Sequence, residues 1–129
     1  MRTVLTILGT SLLLIGSVNA QPDSPLQGAW VGHYLAPTGV QVKAEFTVAG
    51  AEGTWRSFVP QAQRRPNPCL ERPHSVAITE PTAGEFRLVI QASKTLSGCQ
   101  DAHATVKLTD PATLQGHFGD GRELVLKRK

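Results

Sequence analysis

Cysteine is scarce in this chain: Cys69 and Cys99 are the whole complement, thirty positions apart and in no C-x-x-C pair. Zinc ribbons and dithiol redox sites need closely spaced cysteines, so neither is indicated, and the nearest histidines, His74 and His103, stand in no ligand spacing. No G-x-S-x-G elbow surrounds Ser57, Ser75, Ser93 or Ser97, and no strand carries an H-x-H pair. Glu45 and Glu52 flank one turn, an arrangement typical of a surface rather than of a glycosidase pair. The reading is non-enzymatic, with no metal and no cofactor. Charge of one sign is also lacking: 13 basic against 10 acidic side chains give +3, and the basic residues are scattered apart from Arg64-Arg65 and Lys127-Arg128-Lys129. A nucleic-acid binder needs a dense basic face interleaved with aromatics, so nucleic acid is discounted.

One apolar run is present, at the amino terminus. Met1-Arg2 supplies a positive charge and Val4 to Ile15 an almost wholly apolar core, too short to span a bilayer. Val18-Asn19-Ala20 fits a leader cleavage site, so residues 1–20 read as a signal peptide and 21–129 as a single mature domain, periplasmic or secreted. Without Arg2 the mature chain has twelve basic and ten acidic groups, a net +2. No later stretch reaches the roughly 20 apolar residues of a membrane helix, so membrane insertion is not expected. In an oxidising compartment the two cysteines are expected to form one disulfide; closing that loop stabilises a small domain by about 3–4 kcal/mol on the chain-entropy model.

Period-two alternation dominates what remains. Val42 to Val48 alternates apolar and polar without a break, and Glu85 to Gln91 does the same with Phe86, Leu88 and Ile90 on one face. Shorter stretches bury Val76 and Ile78, Val106 and Leu108, and Leu124 and Leu126. Gly28-Ala29-Trp30, Gly53-Thr54-Trp55 and Gly116-His117-Phe118 share a glycine two residues before a ring, where a sheet bends or a large side chain packs across it. No segment has helical spacing. The expectation is eight strands, at about 27–35, 40–48, 53–59, 74–79, 85–91, 103–110, 113–118 and 122–127, separated by good turn formers. An all-β, antiparallel up-and-down meander closed as a small barrel removes exposed edges; a two-sheet sandwich is the alternative.

Parity then orients the molecule. In a meander the first, third, fifth and seventh connections emerge at one end, and these include the long loops Pro60–Pro73 and Ala92–Ala102 that carry Cys69 and Cys99. A rigid scaffold presenting loops at one end is the usual place for binding residues. That end is mildly basic, with Arg64, Arg65, Arg72 and Lys94 set against Glu71 and Asp101.

The opening Leu26-Gln27-Gly28-Ala29-Trp30, followed by a turn, an alternating strand and Gly53-Thr54-Trp55, resembles small calycin-type barrels such as avidins and lipocalins. The resemblance covers about thirty residues near the start of the mature chain and implies a barrel architecture. Val31-Gly32 replaces the polar residues that follow the first tryptophan in the avidin pattern, so biotin binding is not implied. Periplasmic lysozyme inhibitors are also small disulfide-tied barrels, but their inhibitory-loop signature is missing here.

Two functional expectations follow. In the first, the chain is an exported binding module that engages a macromolecule, either an anionic envelope component or an inhibited enzyme, through Arg64, Arg65, Arg72 and Lys94 at the long-loop end. In the second, Trp30, Tyr34 and Trp55 line a barrel interior that carries a small apolar ligand.

Overall fold

Alternation with one buried face demands that each strand cover its apolar side, and this chain does so by curling its sheet on itself. The computed structural model describes residues 24–60 and 67–129. Eight strands run in chain order: β1 (Gly28–Leu35), β2 (Gln41–Ala49), β3 (Glu52–Phe58), β4 (His74–Thr82), β5 (Glu85–Ile90), β6 (Ala102–Asp110), β7 (Thr113–Phe118) and β8 (Glu123–Arg128). Each pairs antiparallel with its sequence neighbours, and β8 pairs with β1 to complete a closed barrel. Closure leaves no sheet edge for another chain to extend. A four-residue helix, α1 (Ala92–Thr95), interrupts the β5–β6 connection, which the sequence presents as a plain loop. One helical turn is too short to impose a 3.6-residue pattern, so periodicity could not have found it.

The inward face of every strand joins one core. Trp30, Ala44, Phe46, Leu88, Val106, Leu114, Leu124 and Leu126 are wholly buried, and Trp55 is 2% exposed. Each large apolar side chain so buried contributes about 1.5–3 kcal/mol. Two of the strand glycines explain how the rings fit. A Cβ on Gly53 would stand 3.0 Å from Val76 Cβ and 3.1 Å from the Phe46 ring, and one on Gly116 would run into the Thr105 carbonyl on β6. Glycine there lets a ring or a neighbouring backbone approach the sheet. Ile78 and Leu108 point inward but are only half-buried, because the ladders shift register just beyond them, at Thr79/Thr82 and Leu108/Asp110. Such irregularities twist a strand end away from the core.

The two ends of the barrel differ. At the hairpin end, residues before β1 fold across the opening: Leu26 is 1% exposed, its carbonyl accepts from Trp30 Nε1 at 2.9 Å, and Gln27 exchanges two side-chain hydrogen bonds with the Gly50 backbone. Arg128 from β8 seals this end. Its guanidinium lies 4.2 Å from the Trp30 ring and donates to the carbonyls of Pro25, Gln27 and Pro111. The Lys129 amide donates to the Ala29 carbonyl at the same end. At the loop end, the β3–β4 and β5–β6 connections are joined by the Cys69–Cys99 disulfide, with Cα atoms 5.6 Å apart. Both cysteines therefore occupy one rim, as the strand parity requires. The expected leader, residues 1–20, lies outside the described residues.

Candidate functional site

Four connections meet at the loop end, and their order comes from a small set of polar contacts. In the β3–β4 connection the Asn67 side chain accepts from the Cys69 amide at 3.0 Å, and the chain turns through Glu71, a non-glycine residue in the left-handed region at φ 64°. Arg56 on β3 donates through Nε to the Glu71 carbonyl at 2.9 Å, holding the turn against the barrel wall. His74, the first residue of β4, is 4% exposed. Its Nε2 sits 2.6 Å from the Cys69 carbonyl and its Nδ1 2.9 Å from Thr95 Oγ1 on α1. A carbonyl only accepts, so Nε2 carries a proton and donates it; in the neutral ring Nδ1 then accepts from the threonine hydroxyl. The disulfide and the imidazole thus join the same two connections by separate routes. On the outer side Asp101 accepts from both the Ser93 amide and hydroxyl, at 3.0 and 2.7 Å, and caps α1. Those Ser93 bonds, helped by the charges of His103 and Lys94, hold the Asp101 carboxyl below its ordinary value.

Beneath these loops the mouth of the barrel is occupied. Tyr34, Trp55 and Phe118 form a ring cluster with centroids 5.0–6.3 Å apart, and Phe46 stands 5.9 Å from Trp55 on its inner side. Ser57 Oγ is 2.8 Å from Tyr34 Oη and accepts from Trp55 Nε1 at 3.0 Å, so buried polar groups are paired. Burial pushes the Tyr34 phenol above its ordinary value, with the Ser57 bond and the Arg122 charge acting the other way. Arg122 lies over the Phe118 ring at 4.7 Å and the Tyr34 ring at 5.8 Å. It also donates to the Leu35 carbonyl at 2.6 Å and to Asp120 Oδ2 at 2.7 Å, and this pairing lowers the Asp120 carboxyl. Outside the mouth, two shallow grooves share His33 and Gln41. One, of about 320 Å³, runs past Leu35 and Arg122; the other, of about 250 Å³, runs past Lys43 and Phe58. Neither is lined by Trp30 or Trp55.

Of the residues expected to meet a partner, Arg72 and Lys94 are exposed on the two connections that the disulfide joins. Arg64 and Arg65 lie outside the described residues. Of the three aromatics expected to line a cavity, Tyr34 and Trp55 are neighbours at 6.2 Å, whereas Trp30 packs at the hairpin end under Arg128. All three belong to one core cluster, with Trp30 toward its hairpin end. His33, His103 and His117 are exposed on outward faces, and among the described residues no group of three or more His, Cys, Asp or Glu side chains is placed to hold a metal. Sequence reasoning missed His74 as a loop fastener and Arg122 and Arg128 as plugs. For His74 a signal existed, since alternation through Val76 puts it on the inner face. The arginines reach partners 87 to 103 positions away in the chain, and nothing local marks them.

Comparison with known proteins bears on the scaffold. No protein-family model and no curated protein matches this chain. Among solved structures the chain is similar to a redesigned β-barrel, at a TM-score of 0.51 and 16% identity over 88% of this chain and 99% of that one. At that identity the likeness concerns architecture alone, and it agrees with the closed antiparallel barrel described above.

Proposed function

We propose that this chain is an exported, non-enzymatic binding module that engages an anionic macromolecule, an envelope component or an acidic surface of an enzyme it inhibits, through the loop end of its barrel. The observation that carries this reading is the double fastening at that end. The Cys69–Cys99 bond and the Cys69–His74–Thr95 hydrogen bonds tie residues 67–74, with Arg72 exposed, to the α1 connection, with Lys94 exposed, above a mouth already filled by Tyr34, Trp55 and Phe118. Loops ordered before binding lose less freedom when a partner docks, and exposed cations on them favour an anionic one. The disulfide suits an oxidising, periplasmic or secreted setting, in keeping with the leader-like segment at residues 1–20. Affinity with calycin barrels is part of the same proposal: Gly28-Ala29-Trp30 opens the first strand, and the last strand returns to cover its tryptophan.

Isothermal titration against purified anionic envelope polymers, beside a neutral polysaccharide control, tests the proposal. Saturable binding to the anionic ligands is expected, weakened at least tenfold in a variant carrying R64E, R65E, R72E and K94E. Equal binding by that variant, or no preference for the anionic ligands, overturns it. Saturable one-to-one quenching of tryptophan emission by a small apolar ligand, displaced by no polymer, would instead favour the interior-carrier function.

A further inference from the structure

Among the described residues Leu35 is the one large apolar side chain that stands exposed, at 54%. A single exposed leucine is ordinary in itself, so its surroundings carry the argument. It ends β1 in register with Gln41 of β2, and the β1–β8 ladder, which pairs His33 with Val125, brings Glu123 to its other side. Alternation puts His33, Leu35, Gln41, Glu123 and Val125 on the outer face of the wall. With Tyr34 and Arg122 they line the larger of the two grooves, whose volume of about 320 Å³ falls at the lower end of the range for small-molecule sites.

The polar groups of this groove are largely uncommitted. Among the described residues His33 and Gln41 make no side-chain hydrogen bond, and the imidazole and the amide each offer a donor and an acceptor. Glu123 forms no ion pair there and accepts only a long bond, 3.4 Å, from Gln115 Nε2. Arg122 uses Nε toward Asp120 and Nη1 toward the Leu35 carbonyl, which leaves Nη2 for a ligand. Arg122 and Glu123 thus border Leu35 as opposite charges that do not pair with each other. Their signs narrow the ligand. With Asp120 held to Arg122, a purely anionic molecule would meet two carboxylates, and a purely cationic one would meet the guanidinium at the rim; such like-charge contacts select against both. A molecule with both charges close together and an apolar remainder complements the groove.

We propose that this groove binds a free α-amino acid with a branched aliphatic side chain. The carboxylate accepts from Arg122 Nη2, the ammonium donates to Glu123, and His33 and Gln41 take part of the remaining hydrogen bonds. The ligand's side chain lies on Leu35 and Val125 and removes the exposed leucine from water, which makes an aliphatic remainder favourable. The groove shares no residue with the exposed cations Arg72 and Lys94, so this inference is independent of the anionic partner proposed above.

Titration of the mature chain with leucine, followed by amide proton and nitrogen resonances, tests the site. Shifts should saturate and centre on residues 33–35, 41 and 122–125. N-acetyl-leucine lacks the ammonium and leucinamide the carboxylate, and each should bind about tenfold more weakly, the effect of one charge-assisted hydrogen bond. Glycine, without the side chain, should lose about as much. Glu123→Gln, at an exposed position, should weaken leucine by about the same factor and leave N-acetyl-leucine unchanged, which separates a lost contact from a disturbed fold. No saturable shift up to about 20 mM leucine overturns the proposal. So does either leucine analogue binding as tightly as leucine, glycine binding as tightly, or a set of shifts centred away from the groove. Undiminished leucine binding by Glu123→Gln overturns it as well; if that variant does not fold, the analogues on the wild-type chain decide alone.

Discussion

Arg128 offers a measurement of what closing one end of a barrel is worth. Its guanidinium covers the face of a wholly buried tryptophan at 4.2 Å and donates to three carbonyls, those of Pro25, Gln27 and Pro111. The ring contact is partly desolvated and should contribute about 1–2 kcal/mol. The carbonyl bonds lie at an exposed rim where water can replace the donor, so each is set at the low end of the usual range, about 0.5 kcal/mol. Arg128→Ala should then destabilise the fold by about 2.5–3.5 kcal/mol, summing those two contributions. Arg128→Lys keeps a cation near the ring but loses the planar fork, and should recover less than half. Urea unfolding followed by tryptophan emission and far-ultraviolet dichroism gives both numbers. Limited proteolysis supplies a local check: the backbone at Pro25 and Gln27, no longer held, should be cut sooner in Arg128→Ala than in the parent. A loss below about 0.5 kcal/mol, within the range of ordinary surface substitutions, would refute the assignment of Arg128 as a plug.

Gly116→Ala should cost more than about 3 kcal/mol or abolish folding, because its Cβ collides with the Thr105 carbonyl. Gly119→Ala, whose Cβ would meet His103 only at 3.9 Å, is the control and should stay close to the parent in the same urea assay. The chain has one tyrosine, so an absorbance titration near 295 nm reads Tyr34 alone, and its midpoint should lie above 10.0. Because the folded value is raised, stability is fully present below the unfolded value of 10.0 and falls as pH rises toward the folded one; Tyr34→Phe should remove that decline, and a midpoint at or below 10.0 refutes the burial argument. Asp101 works in the opposite direction. Its folded value is lowered, so its contribution is present above 3.8 and is lost as pH falls through the folded value. Amide resonances of Ser93 and Lys94 should move in that acid window and should cease to move in Asp101→Asn.

The strands were legible because alternation is a direct physical demand of a half-buried sheet: Val42, Ala44, Phe46 and Val48 are all inside, as their spacing required. The disulfide was legible from two cysteines behind a leader-like segment, and the count of strands agreed, since connections of like parity share a rim. What escaped were features without a local signature. α1 is a single turn, the register shifts beside Ile78 and Leu108 depend on how two hairpins twist, and the plugging arginines are ordinary strand-end cations until the barrel closes around them. The candidate partner surface was half legible. Arg72 and Lys94 could be placed on it by topology, but the fastening through His74 depends on a carbonyl and a hydroxyl meeting one imidazole across two loops. Trp30 lies near the start of β1 and Tyr34 near its end, so one strand carries them toward different ends of the single core cluster that also holds Trp55.

The folding of Pro25, Leu26 and Gln27 across the hairpin end fixes a direction of travel for whatever precedes them. Ser24, where the described residues begin, lies at the pole opposite Cys69 and Cys99. A bead, dye or neighbouring module joined there would leave Arg72 and Lys94 facing away from the attachment, like a lamp on a stalk. An array built through that pole would therefore present many copies of the same face outward, and avidity for the anionic partner proposed above would grow with their density on the support.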